Sequence, residues 1–130
     1  MVLQIGAQIA PGVTKDGLLR VRPGMLEDEL MLLLGEPLTR TQEGPDSVLV
    51  YARPSRWWFG GLSLRVRILE RRVEALELKD YGLLVYYCAR ARGGCQVVWD
   101  ASTLDRLGVM RWISMHLDTL APSRRSTVPP

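Results

Sequence analysis

Between residues 62 and 68 apolar and polar side chains alternate without a break. Leu62, Leu64, Val66 and Ile68 fall on one side, Ser63, Arg65 and Arg67 on the other. That period belongs to an antiparallel strand with one buried and one wet face. "SVLVYAR" (47–53) before it and "VEALELK" (73–79) after it read as neighbouring strands, the second joined by the tight connection "ERR". "DYG" turns the chain again, and "LLVYYCA" (83–89) is apolar on both faces, the mark of a central strand. "GGCQVVWD" (93–100) completes another hairpin.

Two segments carry the helical period instead. Leu26, Leu30, Leu33 and Leu34 recur at helix spacing behind Glu27, Asp28 and Glu29, which suit the positive end of a helix dipole. Gly35 is placed to end that helix and Pro37 to prevent its restart, so a helix is predicted over 25–34. Leu104, Leu107, Met110, Ile113, Leu117 and Leu120 predict a second helix, capped by Asp100 or Ser102 and interrupted by Gly108. Residues 1–24 read as extended and turn-rich, with "VLQI" and "LLRVR" as short strands around "APGVTKDG". "TRTQEGPDS" (39–47) reads as a polar loop, and "APSRRSTVPP" (121–130) as a frayed tail. The sum is an α+β chain. A single domain over 1–121 holds an antiparallel meander of about five strands, with an N-terminal-half helix and a C-terminal helix on one face, and 122–130 form a flexible tail.

Composition narrows the function classes. The chain has 130 residues and a net charge of +3, and of its 17 basic side chains only Lys15 and Lys79 are lysine. An excess this small is not the dense patch of a dedicated nucleic-acid binder, while arginine suits forked contacts at interfaces. The start lacks a basic, apolar export signal and a lipobox cysteine, and no apolar run approaches membrane-spanning length. A cytoplasmic protein is expected on that basis. Cys88 and Cys95 flank "ARARGG", where a disulfide is geometrically possible. In a cytoplasmic protein they are expected to stay reduced. With His116 as the only histidine, four zinc ligands are not to be had, and no metal or other cofactor is expected.

The stretch "VRPGMLEDELMLLLGEP" resembles the motif that opens SmpA/OmlA-like domains, small lipoproteins of the outer-membrane barrel-assembly machinery. The wider set with this pattern includes cytoplasmic bacterial proteins similar to immunity proteins, which neutralise toxins passed between competing cells. "APGVTKDGLLRVRPGM" is similar to the segment that precedes the motif there. The resemblance covers residues 11–79 and rests on the structural positions Gly24, Gly35 and Pro37, so it speaks for a fold. Leu26 stands where members often carry a capping threonine.

No catalytic constellation stands out. His116 falls on a helical stripe beside Trp112 and Leu120, the serines lack a nucleophile motif, and the paired glycines at 60–61 and 93–94 sit in hairpin-like loops. Binding is better supported. Arg65 and Arg67 share a strand face, Arg71 and Arg72 lie at its hairpin end, and Arg53 and Arg56 flank the aromatic triplet Trp57, Trp58 and Phe59. Arginine and tryptophan are the residue types most enriched at interface hot spots. One tryptophan of the triplet is expected to tuck into the core and leave the other aromatics as an exposed or partner-covered patch; the bland alternative is a wholly core triplet and a solvated face with the arginines paired to Glu74 and Glu77. The expectation is a non-enzymatic protein-binding module, an immunity protein that occludes a cognate toxin, with homodimerisation through an exposed edge or the Trp patch open. The alternatives are an envelope assembly factor like the lipoproteins, with its signal trimmed, and a nucleic-acid-binding regulator using the Arg/aromatic face.

Overall fold

The structure is a computed structural model and describes residues 7–54, 61–80, 82–99 and 104–105. Among the described residues its centre is an antiparallel sheet of seven strands, not about five: β1 (Ala7–Ile9), β2 (Thr39–Glu43), β3 (Asp46–Pro54), β4 (Leu62–Leu69), β5 (Arg72–Asp80), β6 (Leu83–Ala89) and β7 (Gly94–Val97). From β2 onward the order follows the chain as a meander. β1 and β2 share one flank of β3, with β2 along residues 46–50 and β1 along 52–54. The extra strands escaped the apolar pattern because they lie at that flank. β2 is almost wholly exposed, and a strand held by its ladder to β3 needs no apolar face.

Among the described residues two α-helices accompany the sheet, α1 (Lys15–Arg20) and α2 (Glu27–Leu34). α2 matches the helix expected from the leucine spacing. α1 replaces the expected "LLRVR" strand. Thr14 accepts a hydrogen bond from Gly17 N at 3.0 Å and caps the helix, and Gly17 and Leu18 are buried. Leu18, Val21, Leu30 and Leu34 join Leu49, Tyr51, Leu64, Val66, Leu76 and Leu78 in one core cluster. Leu104 also belongs to it, and Asp105 pairs with Lys15. The remainder of the expected C-terminal helix lies outside the described residues, as does the expected "VLQI" strand.

The Gly-Met motif works by docking on the β4–β5 hairpin. Gly24 N donates to Val73 O at 2.7 Å, Val73 N to Met25 O at 2.8 Å, and Glu27 N to Arg71 O at 2.8 Å. Gly24, at φ 92°, makes the turn before the helix, and Gly35, at φ 72°, ends it. Leu26 cannot accept the bond a threonine would, so only half of a capping box forms: the Glu29 carboxylate accepts from Leu26 N at 3.1 Å.

Tyr51 closes the other end of α2. Its side chain is fully buried and its hydroxyl donates to the Gly35 carbonyl at 2.9 Å. Burial, reinforced by Glu36, pushes the hydroxyl up from 10.0 to about 12. The sign follows from the proton held more tightly in the fold. Stability from this group is complete below pH 10 and is lost as pH rises from 10 toward 12, by up to about 2 kcal/mol. Tyr51→Phe should abolish that alkaline loss and cost about 1–2 kcal/mol at neutral pH, because the Gly35 carbonyl loses its donor. Urea titrations of both proteins on either side of pH 10 check this. Equal alkaline losses in the two would assign the effect to another group.

The β4–β5 turn is strained. Glu70 and Arg71 both hold positive φ, 53° and 65°, the pair of angles a type I′ hairpin needs and Asn-Gly adopts most readily. The double change Glu70→Asn/Arg71→Gly should stabilise the fold by about 1 kcal/mol, read as a higher urea midpoint. A lower midpoint would mean that the two native side chains contribute more than their backbone strain costs.

Candidate protein-binding surface

The ladder registers sort the sheet into rows. Arg40, Leu49, Val66, Leu76, Cys88 and Cys95 form a row toward the core. On either side run two rows of opposite facing. One is Thr39, Val50, Arg65, Glu77, Tyr87 and Gln96; the other is Thr41, Val48, Arg67, Ala75, Ala89 and Gly94. No member of these two rows belongs to the core cluster, whereas α1 and α2 both contribute to it. These rows form the second face of the sheet, the one that Arg65 and Arg67 occupy; its side chains are mostly half-buried, and Val48 and Ala89 on it are buried.

Arg65 and Arg67 lie at its middle, with side chains 40% and 35% exposed. Their partners are not Glu74 and Glu77. Arg65 bonds Glu43 at 2.8 Å, and Arg67 bonds the second Glu43 oxygen at 3.2 Å and Asp46 at 3.4 Å. Glu74 instead faces Arg90 at 3.9 Å. The reason is β2, which brings Glu43 to the far side of β3. The two guanidinium groups reach over that strand, where Val48 is 1% exposed although it faces away from the core. Half-exposed pairs of this kind add little to stability. Their effect is to hold two guanidinium and two carboxylate groups in a fixed mosaic. Along the same face Arg92 lies over the Tyr87 ring, 5.7 Å from its centre.

The other expected contact residues are dispersed. Arg53 donates to Gln8 at 2.7 Å where β1 meets the end of β3. Arg72 donates to the Gly24 carbonyl at 2.8 Å and so secures the Gly-Met docking. Arg71 sits in the hairpin turn, where with Leu26, Glu27 and Asp28 it lines an open depression of about 380 Å³. Arg56, Trp57, Trp58 and Phe59 lie outside the described residues, and so does His116. The arginines on β4 are thus separated from those at the hairpin, which serve the docking of residues 24–27.

A surface at β7 was not singled out from the sequence. Val97, Val98 and Trp99 are each nearly half exposed, and Leu83 at the start of β6 is 52% exposed. The available signal was the run Gly93–Trp99, which carries no charge. The cysteines require a correction too: Cys88 and Cys95 face each other across β6 and β7 and are joined in a disulfide. Residues seven apart on a tight hairpin are brought opposite by the ladder itself, so the bond needs no rearrangement of the backbone.

Compared with known proteins, the chain matches no family model, no curated protein and no solved structure. Among the described residues no helix is long and apolar enough to cross a membrane.

Proposed function

We propose that the chain is a non-enzymatic protein-binding module that docks a partner on the open face of its sheet, in the manner of an immunity protein occluding a toxin. The observation that carries this reading is the Arg65–Arg67–Glu43–Asp46 mosaic, held in place on a broad face that the core cluster does not use. Preset guanidinium groups on an open face are the chemistry of interface hot spots. Because the two arginines face two carboxylates, the mosaic favours a mixed-charge protein surface over a polyanion. Co-expression with toxins encoded beside it tests the reading. The expected result is rescued growth and a stoichiometric complex, both lost in Arg65→Glu/Arg67→Glu while circular dichroism stays unchanged. Rescue that survives the double reversal would remove this face from the function.

The disulfide favours a second reading, an envelope factor working in an oxidising compartment. Thiol alkylation in intact source cells separates the two. Cysteines that resist labelling until a reductant is added support the envelope, and cysteines labelled at once support the cytoplasm.

A further inference from the structure

The two edges of the sheet are unlike. β2 presents Arg40, Thr41, Gln42 and Glu43, polar and charged side chains of the sort that discourage strand addition. β7 pairs only with β6 among the described residues, and nothing charged lies between Gly93 and Trp99. Among the described residues near it, Arg90 faces Glu74, Arg92 lies over Tyr87, and Arg22 interacts with Tyr86, the residue opposite Val97.

The direction of the free backbone groups follows from the ladder. The Cα atoms of Cys88 and Cys95 are 3.9 Å apart, which marks the narrow kind of antiparallel pair that exchanges no backbone hydrogen bonds. Gln96 and Gly94 then bond to β6, and the N–H and C=O groups of Cys95 and Val97 point out along the open edge. The side chains are graded along the same edge. Gly93, Gly94 and Cys95 are small; Val97, Val98 and Trp99 are large and exposed. At Gly93 and Gly94 a Cβ atom would have nothing within 4 Å.

We propose that β7 is a homodimerisation edge, pairing antiparallel with β7 of a second copy about a twofold axis at Gln96. In that register Cys95 of each copy lies opposite Val97 of the other, and the outward groups of both exchange hydrogen bonds. Gln96 meets Gln96 on the wet face, where the two amides bond each other. Val98 and Trp99 of one copy extend toward Gly94 and Gly93 of the other, so each large side chain covers a position that lacks one. No like charges meet, and the contact is self-complementary as a twofold interface requires. The edge is short beside the roughly 1,200 Å² that stable interfaces bury, so the association is reversible and concentration-dependent.

Sedimentation velocity over a dilution series tests it. The wild type is expected to pass from the 14.6 kDa monomer to a dimer with rising concentration. Val97→Lys, which places a charge on the edge at a side chain already nearly half exposed, is expected to stay monomeric with an unchanged circular dichroism spectrum. Register is read separately: under oxidation Gln96→Cys should form a covalent dimer, and Thr41→Cys on the opposite edge should not. A wild type that is monomeric at every concentration, a dimer that survives Val97→Lys, or equal cross-linking from both cysteine variants would overturn the proposal. The first of these outcomes would leave the edge to a strand from a different protein.

Discussion

Gly17→Ala is expected to destabilise the protein by about 2–3 kcal/mol, although the same change in an isolated helix would stabilise it by about 1 kcal/mol. The two effects have opposite signs, and packing decides between them. Gly17 lies in α1, where an added Cβ would sit 2.4 Å from the Leu33 carbonyl oxygen and 3.1 Å from Thr14 Oγ1. Leu33 belongs to the last turn of α2, so the obstacle is backbone and cannot rotate aside. Gly12 approaches the same turn, with a Cβ position 2.5 Å from the Leu34 oxygen. One methyl group at either place must push α1 and its preceding loop away from α2. That opens the core around Leu18 and Leu30, both fully buried. Urea unfolding of Gly17→Ala, Gly12→Ala and Gly94→Ala checks this, the last as a control whose Cβ would meet nothing within 4 Å. A Gly17→Ala protein as stable as the control would mean that the two helices are not in this close contact.

Reducing the Cys88–Cys95 bond is expected to cost about 2–3 kcal/mol, the loop-closure value for so short a connection. The sequence separation is seven, and the loss should be local before it is global. β7 has four residues and is the only strand that β6 holds on that side among the described residues. The Cys95 sulfur also lies 3.4 Å from the Val21 carbonyl oxygen, so the disulfide sits where β7 meets the end of α1. Amide exchange at Gly94 and Gln96, whose N–H groups bond to β6, should therefore rise most on reduction, while β3, β4 and β5 keep their protection. Urea midpoints with and without reductant, and of Cys95→Ala, measure the size of the effect. An unchanged midpoint with unchanged exchange in β7 would show that ladder and packing hold the edge without the bond.

The part of the candidate surface legible in the sequence is the part that depends on period alone. Leu62, Leu64, Val66 and Ile68 alternate with Ser63, Arg65 and Arg67 because a strand places successive side chains on opposite faces, and the structure keeps that sorting. The end of α2 was legible for a similar reason, and its start to within two residues: the leucine spacing, the acidic first turn and the positive-φ Gly35 are all local. The partners of the arginines were not. Glu43 reaches Arg65 and Arg67 only because β2 pairs with β3, and a polar edge strand looks like a loop when read alone. α1 was missed because a six-residue helix carries too little period to outweigh the turn signals of Pro11, Gly12 and Gly17.

The sequence by itself determined where the strands β3 to β6 run, which side chains of β4 are buried, and α2 to within two residues at its start. These follow from side-chain period, dipole and left-handed glycine, which act over a few residues. Only the tertiary structure decided that Gly12 and Gly17 lie against the last turn of α2 and that Gly24–Glu27 dock on the β4–β5 hairpin. It alone decided that Cys88 and Cys95 are bonded, and that one edge of the sheet is polar while the other is bare. Each of these depends on two segments meeting in space, and the interactions between them have no period along the chain.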